Sequence, residues 1–343
     1  MGLLLGLLLS SFFINAFAFI PFIYLLYRLK FQRLRQKTKD AFERATPIFD
    51  RYHKDKVGTP VGGGLLVIII TTLLFIGVLF LLPYFWVNVT SVYTLIDEIK
   101  ILLFTFLAFA LLGIYDDIKK TFIIDNQFFG LRLRHKLILE ILLAVVVSFQ
   151  LYSKLKIDII HIPIIGVWNL GWLYIPFATF VIVAFANAFN ITDGLDGLAS
   201  GLLMIALFAF WVISASILDT PLSLFIAIWL GGLIAFLYFN IFPARIFLGD
   251  VGALSFGATL AVIGLILGKV FSLLIVGGVF VFEVSSSLIQ LLAKRFWKKK
   301  LFPAAPLHLW FQYRDWPEPK VVMRAWLIGL IFALVGLWIA VIK

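Results

Sequence analysis

The 343-residue sequence has no cysteine, three methionines and four histidines, and only 14% of its residues are charged. Without cysteine there can be no disulfide framework, no thiolate metal site and no cysteine nucleophile. The shortage of charge excludes a water-soluble globule, in which about a quarter of residues are charged and about half are apolar. Here 63% are hydrophobic, including 37 Phe and 10 Trp, and the mean hydropathy is +1.08. In such a chain the formal charge of +11 bears on membrane orientation rather than on nucleic acid.

What the sequence does have is a series of long apolar runs. They lie near 3–27, 62–86, 101–115, 136–152, 171–189, 199–217, 221–240, 254–268, 270–292 and 325–342. These predict an all-α polytopic membrane protein of about ten transmembrane helices, a single domain over 1–343 with no room for a large second one. The first run has no basic residue before it and is longer than a signal-peptide core, so a retained anchor is expected. An even number of spans puts both termini on one side. The loops after the odd-numbered spans hold 24 Lys and Arg and the opposite side holds five, which predicts basic loops in the cytoplasm and periplasmic termini.

Two loops have their own character. Residues 28–56 mix basic residues with Leu34, Phe42, Ile48 and Phe49, as either a helix lying on the anionic inner leaflet or a solvated connector would. On the outer side, Lys154 to Pro163 alternates before Gly166 and a second apolar stretch, which predicts a small periplasmic β-hairpin. No internal repeat is visible, which weakens an inverted-repeat transporter.

The informative acids stand where spans meet the cytoplasm. Asp116 and Asp117 close the third span; adjacent carboxylates repel unless a cation or proton lies between them, but a solvated helix end would also suit them. After the fifth span, Asn187, Asn190, Asp193 and Asp196 recur every third residue, keeping roughly one face as the helix runs out, with Gly194 and Gly197 to let backbone approach a ligand. Asp250, between Gly249 and Gly252, suits a helix N-cap, a ligand, or both. His308 follows Ala304-Ala305-Pro306-Leu307 in the last cytoplasmic loop. All four clusters fall on the side assigned from Lys and Arg alone. Carboxylates with amides and glycine turns suit a hard cation such as Mg²⁺, which keeps positions open for substrate phosphates, and the neighbouring cations suit an anionic substrate. The residues therefore point to metal-assisted phosphoryl transfer at the inner membrane face, with a lipid as one reactant.

These motifs resemble the bacterial polyprenyl-phosphate N-acetylhexosamine-1-phosphate transferase family. The resemblance runs from Lys56-Val-Gly-Thr-Pro-Val-Gly-Gly63 through Asp116-Asp117, Asn187 to Gly197 and Phe247-Leu-Gly-Asp250 to Ala305-Pro-Leu-His308 and Trp316-Pro-Glu-Pro-Lys320. The last of these favours the branch that uses UDP-MurNAc-pentapeptide. The resemblance implies attack by undecaprenyl phosphate on that nucleotide, giving lipid I and UMP with Mg²⁺, in peptidoglycan biosynthesis at the bacterial inner membrane with the site facing the cytoplasm. It implies a catalytic group of Asp116, Asp117, Asp250 and His308, with the metal on Asp250 and Asp117. Around the nucleoside, sugar and peptide it implies Lys56, Asn187, Asn190, Asp193, Gly194, Leu195, Asp196, Asn240, Phe247, Gln290 and Ala305, with the Phe247 ring offering a stacking face to uracil. A homodimer in the bilayer is also implied; nucleic acid is not.

The chain departs from the family pattern in three places. His308-Leu309-Trp310 stands where three histidines are usual, a lysine common beyond the acidic pair is missing from Thr121 to Ile124, and Val61 replaces a common threonine. Two alternatives stay open: a sister enzyme moving GlcNAc-1-phosphate onto the same carrier, and a transporter using the intramembrane acids Glu140 and Glu283.

Overall fold

A computed structural model describes residues 1–32, 47–52, 54–85, 89–122, 131 and 133–342. Most of the expected inner-leaflet helix, including Leu34 and Phe42, lies outside the described residues; at its end stands the six-residue helix α2 (Pro47–Tyr52). The long helices are α1 (Gly2–Arg28), α3 (Gly63–Leu81), α4 (Leu95–Thr121) and α5 (Leu133–Ser153), then α6 (Tyr174–Thr192), α7 (Leu198–Ser216), α8 (Thr220–Asn240) and α9 (Gly249–Ile266). The short α10 (Val270–Val276), α11 (Gly278–Phe296), the short α12 (Leu307–Tyr313) and α13 (Glu318–Val341) complete the chain.

Among the described residues, eight helices are long and apolar enough to cross a membrane, and a ninth if the bent pair α10–α11 counts as one span. Their outward faces carry large apolar side chains such as Phe17, Phe80, Phe180 and Trp338, as lipid contact requires. The chain is a polytopic membrane protein. The run expected at 101–115 lies inside α4, a 27-residue helix whose acids and lysines gather at its two ends. The run expected as one span over 270–292 is broken: α10 and α11 meet at 77°. Gly277 forms the corner, where a Cβ would stand 2.6 Å from the Phe185 ring and 2.9 Å from the Leu273 carbonyl oxygen, and sharp kinks concentrate at such small residues.

The expected hairpin is present between α5 and α6. Strands β1 (Ile159–Ile162) and β2 (Gly166–Asn169) pair antiparallel, Ile159 opposite Asn169 and Ile162 opposite Gly166.

Helix α9 is buried along its whole length and packs against α3, α4, α6 and α7. Its Gly252, Ala253, Ser255, Gly257, Ala258 and Ala261 let neighbouring backbones come close, the usual device where lipid supplies no hydrophobic drive between helices. Around it the rings of Phe106, Phe225, Trp229 and Phe256 interlock at centroid separations of 5.1–5.9 Å. This aromatic core holds the middle of α9 against α4 and α8.

Candidate active site

At one end of the bundle α4 stops and α5, α9 and α3 start. Asp116 and Asp117, one turn from the end of α4, are 1% and 2% exposed, so the solvated-cap reading of this pair does not hold. Asp117 accepts hydrogen bonds from the backbone amides of Asp250 (3.0 Å) and Val251 (2.9 Å), the free donors of the first turn of α9. It thereby caps a helix far away in sequence. Gly249 makes this approach possible: its φ is +81°, and a Cβ there would lie 2.6 Å from Asp117 Oδ2.

The Asp250 side chain turns to two lysines instead of capping its own helix. Its Oδ2 lies 2.6 Å from Lys120 Nζ and 2.5 Å from Lys136 Nζ. The same ammonium groups lie 3.0 and 3.2 Å from Asp116 Oδ2, so oxygens of Asp116 and Asp250 meet around one pair of cations. Where this chain lacks the lysine expected in 121–124, Lys120 and Lys136 supply charge to the acids. Lys120 is legible as the i+4 partner of Asp116; Lys136, on another helix, carries no local signal.

The second acidic cluster is divided. Asn187, still on α6, donates to Glu140 on α5. The helix ends at Thr192, and beyond it the every-third-residue spacing no longer keeps one face. Asp193 stands at the helix end, Leu195 is buried at 3% exposure, and Asn190 is half-buried. Asp196 belongs to a different set of partners: Lys56 Nζ lies 2.7 Å from its Oδ1, and the Ala244 amide donates to its Oδ2 at 2.9 Å. Asn240 supports the same turn, its Oδ1 accepting from the Gly197 amide and the Ser200 hydroxyl and its Nδ2 donating to the Ile246 carbonyl.

One short strip joins the two clusters. Ala244 binds Asp196, Phe247 exchanges backbone bonds with Pro60, Gly62 and Gly63, and Asp250 and Val251 bind Asp117. Seven residues of chain span at most about 25 Å, so these acids border a common region at one end of the bundle. Phe247 is half-buried beside Lys56, whose Nζ lies 6.0 Å from the ring centre.

His308, 1% exposed, closes another side. Its backbone amide and its Nδ1 both meet the Glu283 carboxylate, at 3.1 and 3.0 Å, which leaves Nε2 directed at the 193–197 turn. A Cβ on Gly194 would stand 2.5 Å from that Nε2. Gln290 holds the chain leading to His308, donating to the Phe302 carbonyl and accepting from the Leu301 and Phe302 amides. Ala305 is half-buried in that loop, Leu309 is buried, and Trp310 lies under the Arg314 guanidinium at 4.7 Å. The intramembrane acids Glu140 and Glu283 are thus accounted for as partners of Asn187 and His308. Sequence reading gave Lys136 no place and saw Lys120 only as a cation beside the acid pair and Glu318 only as part of the Trp316–Lys320 motif.

The pattern of glycosyl transferase family 4 matches residues 99–268, from the start of α4 to the end of α9. The phospho-N-acetylmuramoyl-pentapeptide-transferase of Borrelia hermsii is 38% identical over 344 aligned residues, covering 95% of this chain and 92% of the relative. The chain belongs to the phospho-N-acetylmuramoyl-pentapeptide-transferase family. It is an enzyme, a glycosyl-1-phosphate transferase. The transferase of Thermodesulfovibrio yellowstonii is 39% identical over 83% of this chain and 81% of its own, and that of Pelagibacter ubique 36% over 82% and 80%.

Glu283 holds the His308 imidazole in place, so a methyl group at Gly194 cannot be accommodated by swinging the ring away. Gly194→Ala is expected to displace the turn or the ring, lowering turnover about a hundredfold, the order of loss that a shift of about 1 Å at a reacting site brings, and lowering the melting temperature by a few degrees. Steady-state rates beside a melting curve in detergent check this; wild-type turnover would show that His308 has no part in the reaction.

Proposed function

We propose that the enzyme transfers phospho-MurNAc-pentapeptide from UDP-MurNAc-pentapeptide to undecaprenyl phosphate, releasing UMP and forming lipid I in peptidoglycan biosynthesis. The observation that carries this reading is the meeting of Asp116, Asp117 and Asp250 with Lys120 and Lys136, next to a turn built from Asp193 to Gly197 and faced by His308. Phosphoryl transfer asks a protein chiefly to position two anionic reactants and to offset developing charge, and mixed carboxylates and ammonium groups suit that task.

Lys120 and Lys136, now bound to carboxylates, are the cations nearest the acids and can turn to phosphate oxygens when both reactants enter. The acceptor phosphate is itself the nucleophile, so no side chain has to become one. Asp117 keeps the start of α9 in register, and Glu283 holds the His308 ring with Nε2 toward the donor-binding turn. Mg²⁺ fits this donor set. The carboxylates of Asp250 and Asp116 present oxygens on one side, and Mg²⁺ typically takes one or two carboxylates and completes its shell with water and phosphate. When bound it would neutralise diphosphate charge; Asp250 would hold it, with Asp116 beside it and Asp117 bracing the backbone from behind.

Helix α4 is read as a further span, since residues 101–115 carry no charge, which makes ten with the bent pair. The Lys and Arg distribution then supports periplasmic termini and a cytoplasmic site in the bacterial inner membrane.

The test supplies purified protein with undecaprenyl phosphate, Mg²⁺ and either UDP-MurNAc-pentapeptide or UDP-GlcNAc. Lipid product and UMP are expected from the first donor. Product from UDP-GlcNAc alone would assign the chain to the sister reaction, and product from neither would remove the reading.

A further inference from the structure

Glu318 opens the last helix, on a motif that marks a branch of the family without assigning the residue any task. Its carboxylate is buried, at 9% exposure, and reaches two distant segments at once. Oε1 lies 2.6 Å from Lys56 Nζ and accepts the Asp196 backbone amide at 2.6 Å, contacts that bridge 262 and 122 residues of sequence. Lys56 Nζ in turn meets Asp196 Oδ1 at 2.7 Å and the Gly194 carbonyl oxygen at 3.5 Å.

An ammonium group has three N–H donors. At Lys56 all three have protein acceptors: a carboxylate on the turn, a backbone carbonyl of the same turn, and Glu318. In this arrangement Lys56 ties the turn down rather than reaching for phosphate. The turn lies between α6 and α7 and has little helix to hold it: the Leu198 amide donates to the Leu195 carbonyl at 3.1 Å, and the Asp193 amide reaches back to Phe189 at 3.0 Å. Its Asp196 amide and Asp196 carboxylate are instead gripped from outside by Glu318, Lys56 and Ala244.

We propose that Glu318 is a positioning residue: with Lys56 it clamps the Asp193–Gly197 turn in the shape that receives the nucleotide part of the donor. This rests on the functional reading above, in which that turn and Phe247 hold the uridine diphosphate. The clamp makes binding of the donor, rather than the chemical step, the quantity that Glu318 controls. It also predicts that the charges of Lys56 and Glu318 act as one unit, because losing either charge removes the same 2.6 Å ion pair.

The experiment is a double-mutant cycle of Lys56→Met and Glu318→Gln in the full-length enzyme in detergent. It is read as the Kd for UDP by calorimetry and as KM and kcat for whichever UDP-sugar the wild type turns over. Gln keeps an acceptor for the Asp196 amide but loses the charge facing Lys56, so Glu318→Gln is expected to raise Kd and KM about tenfold while kcat changes less than about threefold. Lys56→Met should do the same, and the double variant should be no worse than either single. Glu318→Ala, which also drops the amide, should weaken binding further; if it fails to fold, the Gln variant alone decides. Unchanged UDP binding by Glu318→Gln overturns the clamp, as do effects that multiply in the double variant or fall on kcat instead. A wild type that binds UDP but transfers nothing would sink the transferase reading and leave the clamp to be judged by Kd; a wild type that binds no UDP sinks both.

Discussion

Under the proposed reaction, replacing Asp250 by Asn is expected to lower UMP release from UDP-MurNAc-pentapeptide in the presence of Mg²⁺ by about a thousandfold, or about 4 kcal/mol of transition-state stabilisation. The change removes one negative charge from the point where Lys120 and Lys136 converge and keeps the side chain's shape. The backbone bonds from positions 250 and 251 to Asp117 do not involve the side chain, and Lys120 and Lys136 keep Asp116 as a partner, so the protein should remain folded in detergent with a lowered melting temperature. The loss should accompany a higher Mg²⁺ requirement in whatever activity remains, measured by titrating the ion. Full turnover at the wild-type Mg²⁺ concentration would take Asp250 out of the metal assignment.

The second large effect is one of packing. At Gly113 on α4 a Cβ would overlap the carbonyl oxygen of Asp250 and stand 2.5 Å from both its carbonyl carbon and the Val251 Cα. These are backbone atoms and cannot rotate away, so Gly113→Ala must push α4 from α9. A destabilisation of about 2–3 kcal/mol is expected, together with loss of turnover, because the same movement lengthens the bonds from the Asp250 and Val251 amides to Asp117. Gly77→Ala on α3 is the matched control: nothing lies within 4 Å of its Cβ position, so Ala there should be neutral or slightly stabilising. Equal melting temperatures for the two variants would show that the close approach of α4 and α9 is not required.

Much of this architecture could be read along the chain. The apolar runs of α1, α3, α5–α8 and α13 are each long enough to declare a span, and the alternation from Lys154 led correctly to the β1–β2 pair. Two readings needed the third dimension. Over 270–292 hydropathy is continuous, but the corner at Gly277 depends on Phe185 of another helix. The polar residues at 187, 190, 193 and 196 repeat evenly, yet helix α6 stops at Thr192, so Asn187 turns to Glu140 and Asp196 to Lys56.

By itself the sequence determined which segments are apolar enough to span and which loops gather the basic residues. Spanning segments must be apolar throughout and Lys and Arg are counted loop by loop, both of which are properties of composition along the line. Only the tertiary structure decided who binds whom: that Asp117 caps α9, that Lys120 and Lys136 join Asp116 to Asp250, and that Glu318 reaches Lys56 across most of the chain. The reason is that a buried charge must find a partner within a few ångströms, and in this fold those partners come from helix ends far apart in sequence.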